Sequence, residues 1–439
     1  MKRGTFTTFT AALSFCAVAL LATCAGPASS AAAKDVLDNG LVVITSPVVA
    51  SSTVVGVAVV VKATAADEPP GKAGLRQLLQ QTMVRGSTHL SGEELAVAVD
   101  AIGADIDAGP ALDYTYLTLT CLGQDLPRAV QLLAEILRYP LLTETELQGQ
   151  REVALHYLTS LRSKPFEVAQ CVLRQGLYGD DPYALPTQGT EESLKSITRA
   201  DLTDFHKRYY VPNNTIIAIA GAVPPDTALA AVRRYFGDWQ RAGLPPRRTP
   251  PIRPLAQSEM QLRQAPVDQA YFMVGFGTGP ATRAAYPVME VIRALLGRGI
   301  GSRLFATLRE STSMAYRAEA YNFALARGGF VAAYVATDPR DLDETKNAIV
   351  REFSRLRTEP VSPSELGRAQ EYAVGSHALS HQKAGDRAFH LAWYEAIGLG
   401  GDFDDRYGEA VRAVTAQQVQ AAARAQFTRY ALGLVLPQD

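Results

Sequence analysis

Cysteine is scarce in this chain: four residues in 439, and two of them, Cys16 and Cys24, fall in an N-terminal apolar segment. That leaves Cys121 in a strand-like run and Cys171 in a helix-like one, too few for a disulfide framework to be the source of stability. Both read as buried core residues, with a single bridge as the alternative in an oxidising compartment. An excess of charge is also missing. Lysine and arginine total 43 against 44 acidic residues, a net charge of −1, and no basic run occurs. A nucleic-acid or other polyanion partner has nothing to bind. Beyond the N-terminal segment, no apolar stretch is long enough to span a bilayer.

Nearly half of the residues are apolar and a fifth are charged, the balance of an ordinary globular protein. The length calls for two or more domains. At the N-terminus, Lys2 and Arg3 precede an apolar run centred on residues 11–22 and then small residues through Ala33. This is the layout of a secretory signal peptide over 1–33, and it implies export to the periplasm. A mitochondrial transit peptide would be amphipathic and arginine-rich, which this segment is not. Leu21-Ala22-Thr23-Cys24 is similar to a lipoprotein box with an unusual threonine; cleavage near Ala33 is the preferred reading, and a membrane anchor follows only if Cys24 carries lipid.

The β-branched run 53–61 and the run around 114–121 read as strands, and 126–138 and 144–162 as helices. The segment 244–251, rich in proline and arginine, cannot continue a helix or a central strand. It marks a linker over 241–258 between halves at 34–240 and 259–439. The halves echo each other: strand residues up to Cys121, a helix, Thr145-Glu146-Leu147 and a long helix in the first; residues 330–337, a helix, Ser364-Glu365-Leu366 and a long helix in the second. The repeat implies duplication, and paired strands and paired helices favour an α+β fold of two tandem homologous domains.

Leu75, Leu78, Leu79 and Met83 form a core stripe at helical spacing, so residues 75–83 alone read as an ordinary amphipathic helix with a cluster of glutamines. The surroundings say more. Residues 68–75 (EPPGKAGL) precede the helix and Arg85-Gly86-Ser87 follow it. Further on come Leu177-Tyr178-Gly179-Asp180-Asp181-Pro182-Tyr183, Gly189-Thr190-Glu191-Glu192-Ser193-Leu194, Ile197-Thr198-Arg199-Ala200-Asp201-Leu202 and Phe205-His206-Lys207-Arg208-Tyr209-Tyr210-Val211-Pro212-Asn213-Asn214, leading to a strand that ends at Gly221. In order and spacing this resembles the insulinase-type (M16) metallopeptidases over nearly all of the mature chain. The resemblance implies that each half is a mostly antiparallel sheet with helices packed on one face, and that two such halves face two others across a chamber.

In that family the helix carries His-x-x-Glu-His, two imidazoles that hold zinc and a glutamate that activates its water. Here Gln77, Gln80 and Gln81 stand at those positions. Tyr157 stands where the third zinc ligand, a glutamate, is expected, and Gln150 matches an acidic residue seven positions earlier. A neutral amide is a poor zinc ligand and has no proton to exchange at neutral pH. The resemblance therefore implies a degenerate site that binds no metal, with no catalytic residue in this chain.

In the second half, Leu296-Gly297-Arg298-Gly299-Ile300-Gly301 runs into Ser302-Arg303-Leu304-Phe305, then Leu308-Arg309-Glu310 and Met314-Ala315-Tyr316. This resembles the family's Ser-Arg-Leu box and the arginine and tyrosine that follow it. Arg309 and Tyr316 match that pair, which the family uses to hold substrate backbone; a guanidinium and a phenol both donate to a carbonyl. By spacing alone they would be a solvated helix residue and a half-buried strand residue. The glycines serve a tight turn under either reading. His377 and His381, at i and i+4, form a chelating pair, but two ligands are too few for a closed metal site, so surface or core roles are expected.

These expectations combine into a non-zinc-binding subunit of a heterodimeric peptidase. It would supply Arg309, Tyr316 and half of the chamber to a zinc-bearing M16 homologue that cleaves peptides or unfolded polypeptides. The alternative is a scaffold or peptide-binding protein that keeps the fold without a catalytic role.

Overall fold

The computed structural model describes residues 31–47, 53–246, 251–297, 299, 301–310 and 315–438, with only the backbone of 309, 310 and 315–317. Cys24 and residues 1–30 of the expected signal peptide lie outside the described residues. In the first half the strands are β1 (Ala33–Val36), β2 (Val42–Pro47), β3 (Val54–Val61), β4 (Asp105–Pro110), β5 (Thr115–Leu122) and β6 (Thr215–Gly221). The helices there are α1 (Leu75–Met83), α2 (Gly92–Asp100), α3 (Leu126–Arg138), α4 (Glu144–Leu161), α5 (Pro165–Tyr178), α6 (Glu191–Ser196), α7 (Arg199–Tyr209) and α8 (Pro225–Phe236). In the second half come β7 (Glu259–Ala265), β8 (Ala270–Gly277), α9 (Ala285–Gly297), a short α10 (Arg303–Phe305), β9 (Ala315–Phe323) and β10 (Phe330–Thr337). They are followed by α11 (Leu342–Thr358), α12 (Pro363–Ser380), α13 (Ala384–Ala396), α14 (Phe403–Arg412), α15 (Ala416–Gln426) and β11 (Ala431–Pro437).

The sheets have orders β1-β2-β6-β3-β5-β4 and β7-β11-β8-β10-β9. Leaving out β1, the two orders superimpose, down to one parallel pair in each, β2 with β6 and β7 with β11, among antiparallel neighbours. The duplication read from the sequence is thus a duplication of topology, and the α+β architecture stands.

Alternation along β3 explains the packing. Val55, Val57, Val59 and Val61 face a core shared with α1, α3, α7 and α8, where Leu75, Leu78, Leu79 and Met83 are fully buried. Each such leucine contributes about 1.5–3 kcal/mol by leaving water. Ala58 and Val60, one step out of phase, are also buried, and what covers them is Ala388, Leu391 and Ala392 of α13. The second sheet mirrors this: Phe272, Val274 and Phe276 of β8 face its own helices, while Met273 of β8 and Ala332 and Tyr334 of β10 meet Val168, Val172 and Leu173 of α5. Each half keeps its other helices on one face of its own sheet and sends one helix to the far face of the other's.

This exchange depends on glycine. A Cβ on Gly56 of β3 would lie 2.4 Å from Gly385 Cα in α13, and one on Gly433 of β11 would lie 2.5 Å from the Leu173 amide nitrogen in α5. A second joint is polar: Asp113 accepts from the Tyr183 hydroxyl and from the Ala326 amide at 2.8 Å, and Tyr178 donates to the Gly328 carbonyl at 2.9 Å. Cys121 is buried, Cys171 is half-buried, and both thiols are free. Burial and nearby Asp125 push the Cys121 thiol up to about 11.

Candidate functional site

The site expected from the sequence begins at the entry to α1. Gly74, at φ 89°, opens the helix, and a Cβ there would lie 2.9 Å from the Gln188 carbonyl oxygen, so glycine lets the 186–193 loop press against the helix start. Ser193 Oγ donates to the Ala73 carbonyl at 2.7 Å, and Lys72 pairs with Asp201 at 2.9 Å. Beneath the same turn lies an arrangement that sequence reasoning missed. Arg76 is completely buried; its Nη1 donates to the carbonyls of Ala63, Ala111 and Tyr114, and its Nε lies 3.4 Å from Glu68 Oε1. Glu68 also accepts from the Arg76 amide at 2.9 Å. Burial pushes its carboxyl up, and Arg76 opposes that push. A fully buried ion pair with this many backbone bonds fixes where α1 sits. The only sequence signal was a charged residue inside an apolar stripe.

On α1, Gln77 and Gln81 are half-buried and Gln80 is buried. The Gln80 amide donates to the Tyr210 hydroxyl at 3.0 Å, and that hydroxyl meets Thr115 Oγ1 at 3.0 Å. The carbonyl oxygens of Gln80 and Gln81 are buried and make no hydrogen bond among the described residues. On α4, which packs against α1, Gln150 is buried while Tyr157 is exposed, with the Lys164 ammonium 4.6 Å from its ring centre. Neutral amides, one of them turned to a phenol, together with an exposed tyrosine do not fit a zinc ion. His156, beside Tyr157, is exposed.

The corresponding cleft of the second half lies between α9 and α12. Its glycine loop passes Gly299, at φ 84°, over a cavity of about 400 Å³ lined by Leu295, Gly301, Arg368 and Tyr372. Arg303 makes a two-point pair with Glu365 at the start of α12, Nε to Oε1 at 2.6 Å and Nη2 to Oε2 at 3.0 Å, which holds that carboxyl below its usual range. The Ser-Arg-Leu box thus anchors the segment that follows it. That segment is a π-helical turn, Ala306–Glu310, and then β9. Arg309 has its backbone in the turn and Tyr316 in the strand; their side chains lie outside the described residues. The fold places the pair on consecutive elements of one half and the glutamine face on the other half.

His377 lies in the last turn of α12 and His381 caps it. The structure adds what the sequence did not show: Asp404, the second residue of α14, brings its carboxylate to both imidazoles. Between the halves, a groove of about 910 Å³ runs past Leu155 and His156 of α4, Arg162 just beyond its end, Arg174 of α5 and Arg263 of the edge strand β7.

Comparison with known proteins agrees with this architecture. Residues 43–191 match the family described as Insulinase (Peptidase family M16), and residues 196–372 match the Peptidase M16 inactive domain. The uncharacterized zinc protease YmxG of Bacillus subtilis is 26% identical over 373 residues, 84% of this chain and 90% of that one. The mitochondrial-processing peptidase subunit beta of Saccharomyces cerevisiae is 24% identical over 360 residues, 78% of this chain and 77% of that one. A crystal structure of a peptidase M16 inactive domain from Pseudomonas fluorescens has the same fold, with a TM-score of 0.83 at 19% identity, covering 93% of this chain and 98% of that one. The chain belongs to the M16 peptidase family.

Proposed function

We propose that this M16-family chain is the subunit of a heterodimeric peptidase that binds no zinc at the family's catalytic position. The observation that carries the reading is the commitment of Gln80 to packing. Where the family resemblance expects the water-activating glutamate, the chain has a buried amide bonded to Tyr210, flanked by Gln77 and Gln81 and facing a helix with Tyr157 in place of the third ligand. Zinc, base and water then come from a zinc-bearing homologue. This chain contributes Arg309 and Tyr316, which orient the substrate backbone, and one wall of the chamber. The yeast relative is named as a subunit, which supports an assembly of unlike chains, and the match of residues 196–372 to an inactive domain supports a non-catalytic role. Substrates are peptides or unfolded segments, since an enclosed chamber rejects folded proteins.

A second reading, a scaffold or peptide-binding protein, draws support from the groove between the halves, whose polar and apolar lining beside edge strand β7 suits an extended peptide. The experiment that separates the two is recovery of the tagged chain from the envelope fraction of its own host, followed by native mass and composition. A one-to-one complex with a zinc-containing M16 homologue is the expected result. A monomer or homodimer that never recruits such a partner would overturn the split-site peptidase and leave the binding role.

A further inference from the structure

The cluster at the end of α12 is independent of the glutamine face and carries a different chemistry. Nε2 of His381 lies 2.7 Å from Asp404 Oδ1, and Nε2 of His377 lies 3.2 Å from that same oxygen. All three atoms are buried and, among the described residues, make no hydrogen bond of acceptable geometry. The Asp404 side chain is 5% exposed and that of His381 is 9% exposed, so water does not satisfy them.

Hydrogen bonding decides what His381 presents to the carboxylate. Its Nδ1 lies 2.7 Å from the His377 backbone carbonyl. A carbonyl only accepts, so Nδ1 carries the proton, and the Nε2 of the neutral ring is a lone pair. A lone pair aimed at a carboxylate oxygen from 2.7 Å is repulsive unless something electropositive lies between them. His377 directs a second imidazole nitrogen at that oxygen, with its ring stacked 3.9 Å from that of His381 and 3.9 Å from that of Tyr407. Two protonated rings in such a stack would repel each other.

We propose that His377 Nε2, His381 Nε2 and Asp404 Oδ1 bind one divalent cation of the zinc type. Two imidazoles and a carboxylate are the donor set of borderline transition ions, and they offer too few oxygens for calcium or magnesium. Tetrahedral zinc with bonds of about 2.0–2.1 Å places its ligands about 3.3 Å apart, so the 3.2 Å separation already fits and the 2.7 Å one opens by about half an ångström. The bond from His381 Nδ1 to a backbone carbonyl is the outer contact that orients a metal-binding imidazole. Other charges agree. Arg387 of α13 lies 3.9 Å from the remaining oxygen, Oδ2, and 3.7 Å from Asp405, so Oδ1 is left for the metal.

The ion would join the end of α12 to the start of α14, on either side of α13, the helix that covers the first sheet. Its role is to hold this crossing helix, not to cleave peptides. The inference therefore stands or falls apart from the subunit reading, and the isolated chain stays proteolytically silent with zinc bound.

The test uses the mature chain without a polyhistidine tag, stripped by chelator and titrated with zinc by calorimetry and with cobalt by visible spectroscopy. One equivalent of zinc should bind, the melting temperature should rise by several degrees and fall back on chelation, and cobalt should give the strong absorption of a tetrahedral nitrogen and oxygen site. His377→Gln/His381→Gln should lose this binding, while the exposed His89→Gln keeps it. Absence of stoichiometric binding by the wild-type chain, or binding that survives in the double variant, would overturn the proposal. Should the double variant not fold, the wild-type titration and Asp404→Asn decide.

Discussion

The amide of Gln80 donates to the hydroxyl of Tyr210 at 3.0 Å in the interior of the first half. Gln80 is part of a core hydrogen-bond chain, Gln80 to Tyr210 to Thr115, while its own carbonyl oxygen has no hydrogen-bond partner among the described residues.

Replacing this residue separates packing from chemistry. Gln80→Leu removes one hydrogen bond and one orphaned oxygen, and Thr115 still satisfies Tyr210. The net change in unfolding free energy should stay within about 1 kcal/mol. Gln80→Glu should cost about 1–3 kcal/mol at pH 7, because it takes a carboxylate out of water, and less at pH 5, where the protonated acid donates to Tyr210. Urea denaturation at both pH values measures this. A leucine variant less stable than the glutamate one at pH 7 would contradict it.

Behind Tyr210 stacks His206, with ring centres 5.0 Å apart, and its Nε2 donates to the Leu137 carbonyl at 2.9 Å. Burial holds the His206 pKa below its ordinary value. Well above pH 6.5 the ring is neutral in folded and unfolded chains alike; as pH falls through 6.5 the unfolded chain binds a proton that the folded chain resists, so stability is lost as pH is lowered. The slope from this residue is at most about 1.4 kcal/mol per pH unit. The stability of His206→Gln should depend less on pH between 6.5 and 5 than that of wild type.

Gly56→Ala probes the helix exchange. The new methyl group meets the Gly385 backbone, which cannot yield as a side chain would, so a loss of about 1–3 kcal/mol is expected. Gly149→Ala, on the exposed face of α4 with nothing within 4 Å, should instead gain up to about 1 kcal/mol. Thermal melts of the two variants should move in opposite directions.

For the proposed complex, Arg309→Ala should reduce kcat/KM by about a hundredfold or more without changing the native mass, the scale of losing a donor to a developing oxyanion. Tyr316→Phe should have a smaller effect in the same direction. Peptide cleavage by reconstituted pairs provides the readout, and wild-type rates with Arg309→Ala would remove this residue from substrate binding.

Local sequence patterns located the elements closely. Residues 330–337 are β10, the 126–138 stretch is α3, and the run that reads as strand over 53–61 is β3, because β-branched runs and helical stripes report local geometry. The glutamine face and the Arg309 and Tyr316 positions could be placed because each lies within one short segment. Arg76 and Asp404 could not. The buried pair forms across a turn between residues eight apart and the shared carboxylate between two separate helices, and neither Glu68 with Arg76 nor His381 with Asp404 has a spacing that announces contact.

By itself, then, the sequence determined which stretches are strands and helices, that the two halves repeat, and that a cluster of glutamines lies on the helix over 75–83. The structure buries β3 on both faces, with Val57 in one core and Ala58 in the other. Only the tertiary structure decided what covers the second face. Any apolar helix of suitable length satisfies the pattern; α13 was selected because Gly56 lets its backbone approach where any side chain would block it, a condition set by two residues more than three hundred positions apart in the chain.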